Sequence, residues 1–117
     1  MTRLPNIMTK APLAATLALA AAFVTPAAAQ QLAEFQLTHA DGGFQPAELA
    51  VPANKAITLR VKNAGAKAIE FESKTLHVEK VIAAGTEAVV NVKALKPGRY
   101  EYFDEFNEKA RGALVAK

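Results

Sequence analysis

The sequence predicts an all-β domain behind an export leader: about eight short strands folded as an antiparallel sandwich or barrel. Three observations carry that prediction. From residue 31 onward, apolar and polar residues alternate with a period of two in short runs, as half-buried strands do. Turn residues punctuate the runs at Asp41-Gly42-Gly43, at Asn63 to Lys67, at Ala84-Gly85 and at Lys96-Pro97-Gly98. No long helical pattern interrupts them.

The leader comes first. MTRLPNIMTK holds Arg3 and Lys10 and no acid. An Ala- and Leu-rich run follows from about Ala11 to Val24, then Pro26 and Ala27-Ala28-Ala29 before Gln30. A basic start, a short apolar centre and an A-x-A site make a secretory signal peptide, residues 1–29, with cleavage expected after Ala29. The run falls short of the ~20 residues a spanning helix needs. The mature domain, residues 30–117, is therefore expected to be exported and not itself inserted in a membrane. A Gram-negative periplasm is the expected compartment, since no Cys offers a lipid anchor. An uncleaved anchoring helix is the alternative.

Each strand then has its own pattern. QLAEFQLTHA alternates Phe35 and Leu37 against Glu34, Gln36 and Thr38, and His39 closes this first strand where exposure is expected. FQPAELAVPANKA reads as extended, and Pro46 and Pro52 hold it to a sheet edge because proline cannot donate to a ladder. ITLRVKN sets Ile57, Leu59 and Val61 on one face and Thr58, Arg60 and Lys62 on the other. AIEFES repeats the pattern, with Ile69 and Phe71 opposed to Glu70 and Glu72. LHVEKVIA continues as a strand that carries His77 and Glu79 on one side. TEAVVNVKAL turns Ala88, Val90 and Val92 inward and Glu87 and Asn91 outward. RYEYFDEF and GALVA, joined by a turn through FNEKARG, finish the set.

Composition limits the chemistry. Removing 29 of the 117 residues leaves 88, one small domain that can bury a core without staples. There is no Cys, hence no disulfide and no thiolate for blue copper, an iron–sulfur cluster or nucleophilic catalysis. Arg3 and Lys10 belong to the leader, so the mature chain sets twelve Lys and Arg against eleven Asp and Glu. That near balance, with basic residues scattered and no aromatic–basic stripe, excludes nucleic acid as a partner.

Two acidic groups stand out: Glu70 and Glu72 on one strand, Asp104 and Glu105 at the end of another. If those strands are neighbours, up to four carboxylates converge. Such a set persists when solvent screens it, when Lys67, Lys74 or Lys109 pairs it, or when a cation fills it. A plain solvated face is the alternative, since charged residues usually sit outside. His77 follows the carboxylate pair and could add a nitrogen ligand. Nothing resembles a nucleophile–base pair, a phosphate loop or a zinc spacing.

The last hairpin resembles the cupredoxin signature, in which a Gly-x-Tyr-x-aromatic strand leads to a Cys, a His and a Met ligand, then Gly and an apolar strand. Gly98, Tyr100 and Tyr102 match the lead-in; Gly112 and Leu114-Val115 match the exit. Asp104 stands at the Cys position, Asn107 near the His, Ala110 near the Met, and Glu70, after the turn at Asn63, at the remaining His position. EFES (70–73), LHVEKVI (76–82), LKPGRY (95–100) and FDEFNEKARG (103–112) are similar, in order, to the small periplasmic cupredoxin-like proteins associated with bacterial high-affinity iron permeases. The resemblance implies a Greek-key β-sandwich of about seven to eight strands. It implies a copper or iron ion held by Glu70, Glu72, Asp104, Glu105 and His77, and an iron permease or other envelope iron-uptake protein as partner. Asn107 replaces that group's usual His, which favours a cation that accepts oxygens. A metal-free adaptor is the other reading. A ferroxidase acting alone is not expected, because no Cys, Trp or Met follows the leader to relay electrons.

Overall fold

The computed structural model describes residues 2–4, 12–23 and 31–117. The expected cleavage point after Ala29 lies outside the described residues. Residues 12–23 form neither helix nor strand, and their Leu13, Leu17, Leu19 and Phe23 are exposed. Among the described residues, no helix is long and apolar enough to cross a membrane.

Alternation from residue 33 onward resolves into strands β1 (Ala33–Ala40), β2 (Gly43–Gln45), β3 (Glu48–Val51), β4 (Ile57–Asn63), β5 (Ile69–Ser73), β6 (Val78–Ile82), β7 (Glu87–Val92), β8 (Gly98–Asp104) and β9 (Asn107–Ala116). They form two sheets, ordered β2-β1-β4-β7 and β3-β9-β8-β5-β6. The all-β sandwich is the expected class. The strand count is nine because the extended stretch around Pro46 divides, and its halves β2 and β3 join different sheets. That crossing also makes both sheets mixed. The chain leaves the first sheet after β2 and returns at β4, so β1 and β4 pair in parallel, as do β3 and β9. FNEKARG is not a turn: Glu105 and Phe106 alone reverse the chain, and β9 already begins at Asn107.

The core lies between the sheets. Leu37, Leu59, Val61, Phe71, Tyr102 and Leu114 are fully buried, each from the inward positions of its strand. The Phe44, Phe71 and Tyr102 rings meet with centroids 5.0 to 6.0 Å apart. Tyr102 lies so close to β9 that a Cβ at Gly112 would stand 2.6 Å from its ring and 2.9 Å from the Ala47 carbonyl. Its hydroxyl is buried without a hydrogen-bond partner, and burial pushes the phenol above its ordinary pKa.

Asn63 ties the two sheets at one end. Fully buried, it donates through Nδ2 to the carbonyls of Lys67 (2.7 Å) and Ile82 (3.0 Å) and accepts the Gly65 N–H at Oδ1 (3.0 Å). Those three bonds fix the 64–68 loop against β6. The outer face of the first sheet carries Arg60 between Glu34 and Glu87, both at 3.0 Å, a surface pairing that contributes little to stability.

Candidate metal centre

β5 lies between β6 and β8. With Ile69 and Phe71 turned into the core, Glu70 and Glu72 face outward. The β5–β6 register sets Glu79 opposite Glu72, and Phe71 lies opposite Asp104 on β8. Just beyond β8, the Glu105 N–H donates to the Glu70 carbonyl at 2.9 Å. These pairings bring Glu70, Glu79 and Glu105 together, each offering an oxygen, all within 4.8 Å of one another. The neighbouring Glu79 carboxyl is the main cause that raises the Glu70 pKa, with burial second. Glu105 raises that of Glu72 in the same way. Side by side, such carboxylates hold protons that isolated ones would release. Only the charge of Lys74 eases this, and only at Glu72; among the described residues, Lys67, Lys74 and Lys109 form no ion pair with the group, and the arginine pairs lie elsewhere, Arg99 for example with Glu48 and Glu101.

Asp104 turns the other way. It is 3% exposed, and its Oδ1 accepts the N–H groups of Glu70 and Phe106, both at 3.0 Å. This one oxygen holds the backbones that carry Glu70 and Glu105. The other oxygen, Oδ2, lies 3.5 Å from His39 Nε2. His39 is 8% exposed, not open at the strand end as expected. It is buried because β2 and β4 flank it, at Phe44 and Asn63, and the Phe44 ring packs edge-on at 5.1 Å. Neither ring nitrogen has a hydrogen-bond partner; at 3.5 Å, Asp104 Oδ2 lies at ion-pair distance from Nε2, longer than an ordinary hydrogen bond. An orphaned buried polar atom costs roughly 1–3 kcal/mol. His39, Asp104, Asn107 and the 64–68 loop line a common cleft of about 510 Å³.

The predicted site residues therefore separate. Glu70 and Glu105 come together on the outer face. Glu72 lies beside Glu105 but outside the three-oxygen group. Asp104 faces the interior. His77 does not lie on a strand: it sits exposed in the turn before β6 with φ +55°, beside Leu76 and Asn91 and away from the carboxylates. Glu79 takes the place that His77 was expected to fill. The two-residue period carried the signal, since it gives Glu79 the same facing as Val81, across from Glu70.

A two-sheet sandwich whose last hairpin and 64–68 loop close around one end is the architecture of a cupredoxin-type domain. The model of the cupredoxin-like domain matches residues 13–116, and the chain belongs to that family. An uncharacterized protein of Rickettsia prowazekii (strain Madrid E) is 35% identical over 83 residues, covering 70% of this chain and 66% of that protein. The chain thus spans slightly under two thirds of that relative's length. Among solved structures, reduced auracyanin of Roseiflexus castenholzii is 12% identical with a TM-score of 0.60, covering 75% of this chain and 99% of that one. The metal-binding domain of the Streptococcus pneumoniae Cu(I)-exporting P-type ATPase, solved with Cu(I), is 15% identical with a TM-score of 0.61, covering 72% and 84%. At such identities the likeness is one of fold.

The family's copper can be tested against these residues. A thiolate centre does not fit, because Asp104 stands where the resemblance places Cys and the chain has no Cys at all. A cation that accepts carboxylate oxygens fits the outer face, where three such oxygens converge with no ion pair to a cationic side chain among the described residues.

Proposed function

We propose that this domain is an exported metal-binding module that holds copper or iron through Glu70, Glu79 and Glu105, with Glu72 beside them, and serves iron uptake at the envelope. The observation that carries the reading is the convergence of three carboxylate oxygens within 4.8 Å on one exposed sheet face. The fold supports it: one similar structure is a metal-binding domain with Cu(I), although this chain would use oxygens in place of sulfur. The ion would supply charge neutralisation and, for copper or iron, a redox-active centre. The chain's own residues bind and position. The Asp104 clamp sets the spacing of Glu70 and Glu105, and the raised pKa of Glu70 means that protons compete with the ion for this ligand more strongly than for an isolated carboxylate. Affinity therefore falls as the pH drops toward the carboxylate range. An exposed, shallow site suits capture and handover to an iron permease better than turnover, and the domain acts as a carrier and not as an enzyme. Its export and periplasmic placement rest on the leader.

The test is calorimetric titration of the protein at pH 7 with Cu(II) and with Mn(II), beside Glu70→Gln and Glu79→Gln. Gln keeps the shape and relieves repulsion, so lost binding reports a lost ligand and not an unfolded domain. Unchanged affinity in both variants would overturn the reading.

A metal-free adaptor has one observation in its favour. Phe106, at the tip of the β8–β9 turn, is 59% exposed beside the cleft. Capture of an envelope partner by metal-free protein, lost in Phe106→Ser, would support that role.

A further inference from the structure

We infer that the end of the sandwich opposite Glu105 is a docking surface for an anionic lipid bilayer, built from Lys55, Lys93, Lys96 and Lys117. The inference does not depend on metal binding at the outer face. These lysines are scattered in sequence, and the topology gathers them. Ile57 and Val92 are paired, so Lys55, just before β4, and Lys93, just after β7, lie at one end. Ala116 lies opposite both Val51 and Gly98, which brings Lys117 and Lys96 to that same end. Main-chain bonds lock the segments together. The Asn54 N–H donates to the Leu95 carbonyl at 2.7 Å, and the Ala53 N–H donates to the Lys117 carbonyl at 3.4 Å. The Tyr100 hydroxyl donates to the Lys96 carbonyl at 2.8 Å. The platform is thus preformed, and all four lysines are exposed.

No acid neutralises it. Residues 52–56 and 93–98 contain none, and none precedes residue 34. Among the described residues, none of the four lysines forms an ion pair. Acids on the flanking strands are already engaged, Glu34 by Arg60 and Glu48 by Arg99. A chain-terminal carboxylate at residue 117 would cancel one charge and leave three. At the other end, where Phe71 meets Asp104, the group of Glu70, Glu79 and Glu105 collects. The domain is therefore a dipole along its strands, and a negative surface attracts one end and repels the other.

The path of the chain selects a bilayer over an acidic protein. Gln31 to Ala33 lie against Pro52, Lys55 and Ile57, so the chain arriving from the leader enters through the lysine end. That leader exposes Leu13, Leu17, Leu19 and Phe23. With those side chains in a membrane, the lysines are the part of the domain held against the headgroups. Leu32, 45% exposed in the same groove as Lys55, adds an apolar contact there. Without the leader, the lysines give weak, reversible docking. Each lysine near an anionic surface raises partitioning about fivefold, and salt screens the effect. A docked domain presents its carboxylates away from the bilayer.

Every strand and every core residue lies between residues 33 and 116, so residues 30–117 are a complete folding unit without the leader's own affinity for lipid. This domain is sedimented with vesicles of phosphatidylglycerol and phosphatidylcholine, and with vesicles of phosphatidylcholine alone. Binding is expected on the anionic vesicles only, and it should weaken as salt rises. Lys55→Gln, Lys93→Gln and Lys96→Gln together should lower partitioning roughly a hundredfold. Lys62→Gln, Lys67→Gln and Lys109→Gln together remove the same charge away from that end and should lower it less than about fivefold. All six side chains are exposed, so glutamine leaves the fold intact. Equal losses in the two triple variants would show that net charge alone acts and would overturn the proposal. Failure of the unaltered domain to bind anionic vesicles at low salt would overturn it too, and would leave the lysine end to an acidic protein.

Discussion

Replacing Asp104 by Ala removes the acceptor that holds two strand ends together. Oδ1 receives the Glu70 and Phe106 N–H groups at 3.0 Å each, and the side chain is nearly sealed from water. Hydrogen bonds to a charged acceptor contribute about 1.5–3 kcal/mol apiece, so the loss comes to roughly 3–6 kcal/mol. Small domains have about 5–15 kcal/mol in total, so Asp104→Ala should leave a barely folded protein. Asp104→Asn keeps an oxygen in place without its charge. Charge-assisted bonds are about twice as strong as neutral ones, so this variant should lose roughly half as much. Urea unfolding at pH 7, with slopes compared to confirm two-state behaviour, measures both. If Ala costs less than about 1 kcal/mol, or Asn costs as much as Ala, the clamp is not the reason for the burial of Asp104.

Other expectations follow from single contacts. Gly112→Ala forces a Cβ into the Tyr102 ring and should cost about 1–3 kcal/mol in the same assay, while Tyr102→Phe in that background should recover little because the ring itself is in the way. Asn63→Ala strips three hydrogen bonds, one buried and two partly buried, and should cost about 3 kcal/mol. It should also loosen the 64–68 loop, visible as faster amide exchange at Gly65 and Lys67. Glu70 and Glu72 are held above their ordinary 4.5, so the folded, metal-free domain binds more protons than the unfolded chain. Their contribution is thus unfavourable at neutral pH and relaxes as the pH falls through the raised values toward 4.5. Thermal melts of wild type and Glu70→Gln at pH 7 should show the variant as the more stable, with the gap closing on acidification. Saturating Mn(II) should reverse that order, because only wild type gains binding energy from the ion.

Strand placement was legible wherever one face is buried. ITLRVKN is β4 from end to end, since alternating Ile57, Leu59 and Val61 leave a single register that keeps them inside. TEAVVNVKAL was equally plain. The mixed sheets were not, because alternation reports which face is buried and not which neighbour is paired. The misgrouping at the site arises where a strand ends. Asp104 is the last residue of β8 and turns its side chain inward, while Glu105 is the first turn residue beyond it and stays exposed, so the two do not both join Glu70. Glu79 was within reach of pattern reasoning once the turn at 74–77 is counted, because that turn sets it across from Glu72. His39 was not. Its burial comes from strands that approach it on both sides, and one of them, β2, is only three residues long and follows a turn that reads as surface.

The parallel pairing of β3 with β9 has a consequence for how the chain comes to be folded. β9 is an inner strand of its sheet, between the edge strand β3 and β8, and further bonds link the Ala53 N–H to the Lys117 carbonyl and the Lys117 N–H to the Val51 carbonyl. A polypeptide that emerges from its first residue onward therefore makes β3 early and must leave it unpaired until the last strand arrives. Local hairpins such as β5–β6 can close on the way, but the sandwich cannot. Folding is withheld until residues 107–116 are free, and then completes as one cooperative event dominated by distant pairings, which are slow to form. Until that moment the growing chain stays open and pliable, its β5–β6 hairpin formed but not yet held in a complete sheet.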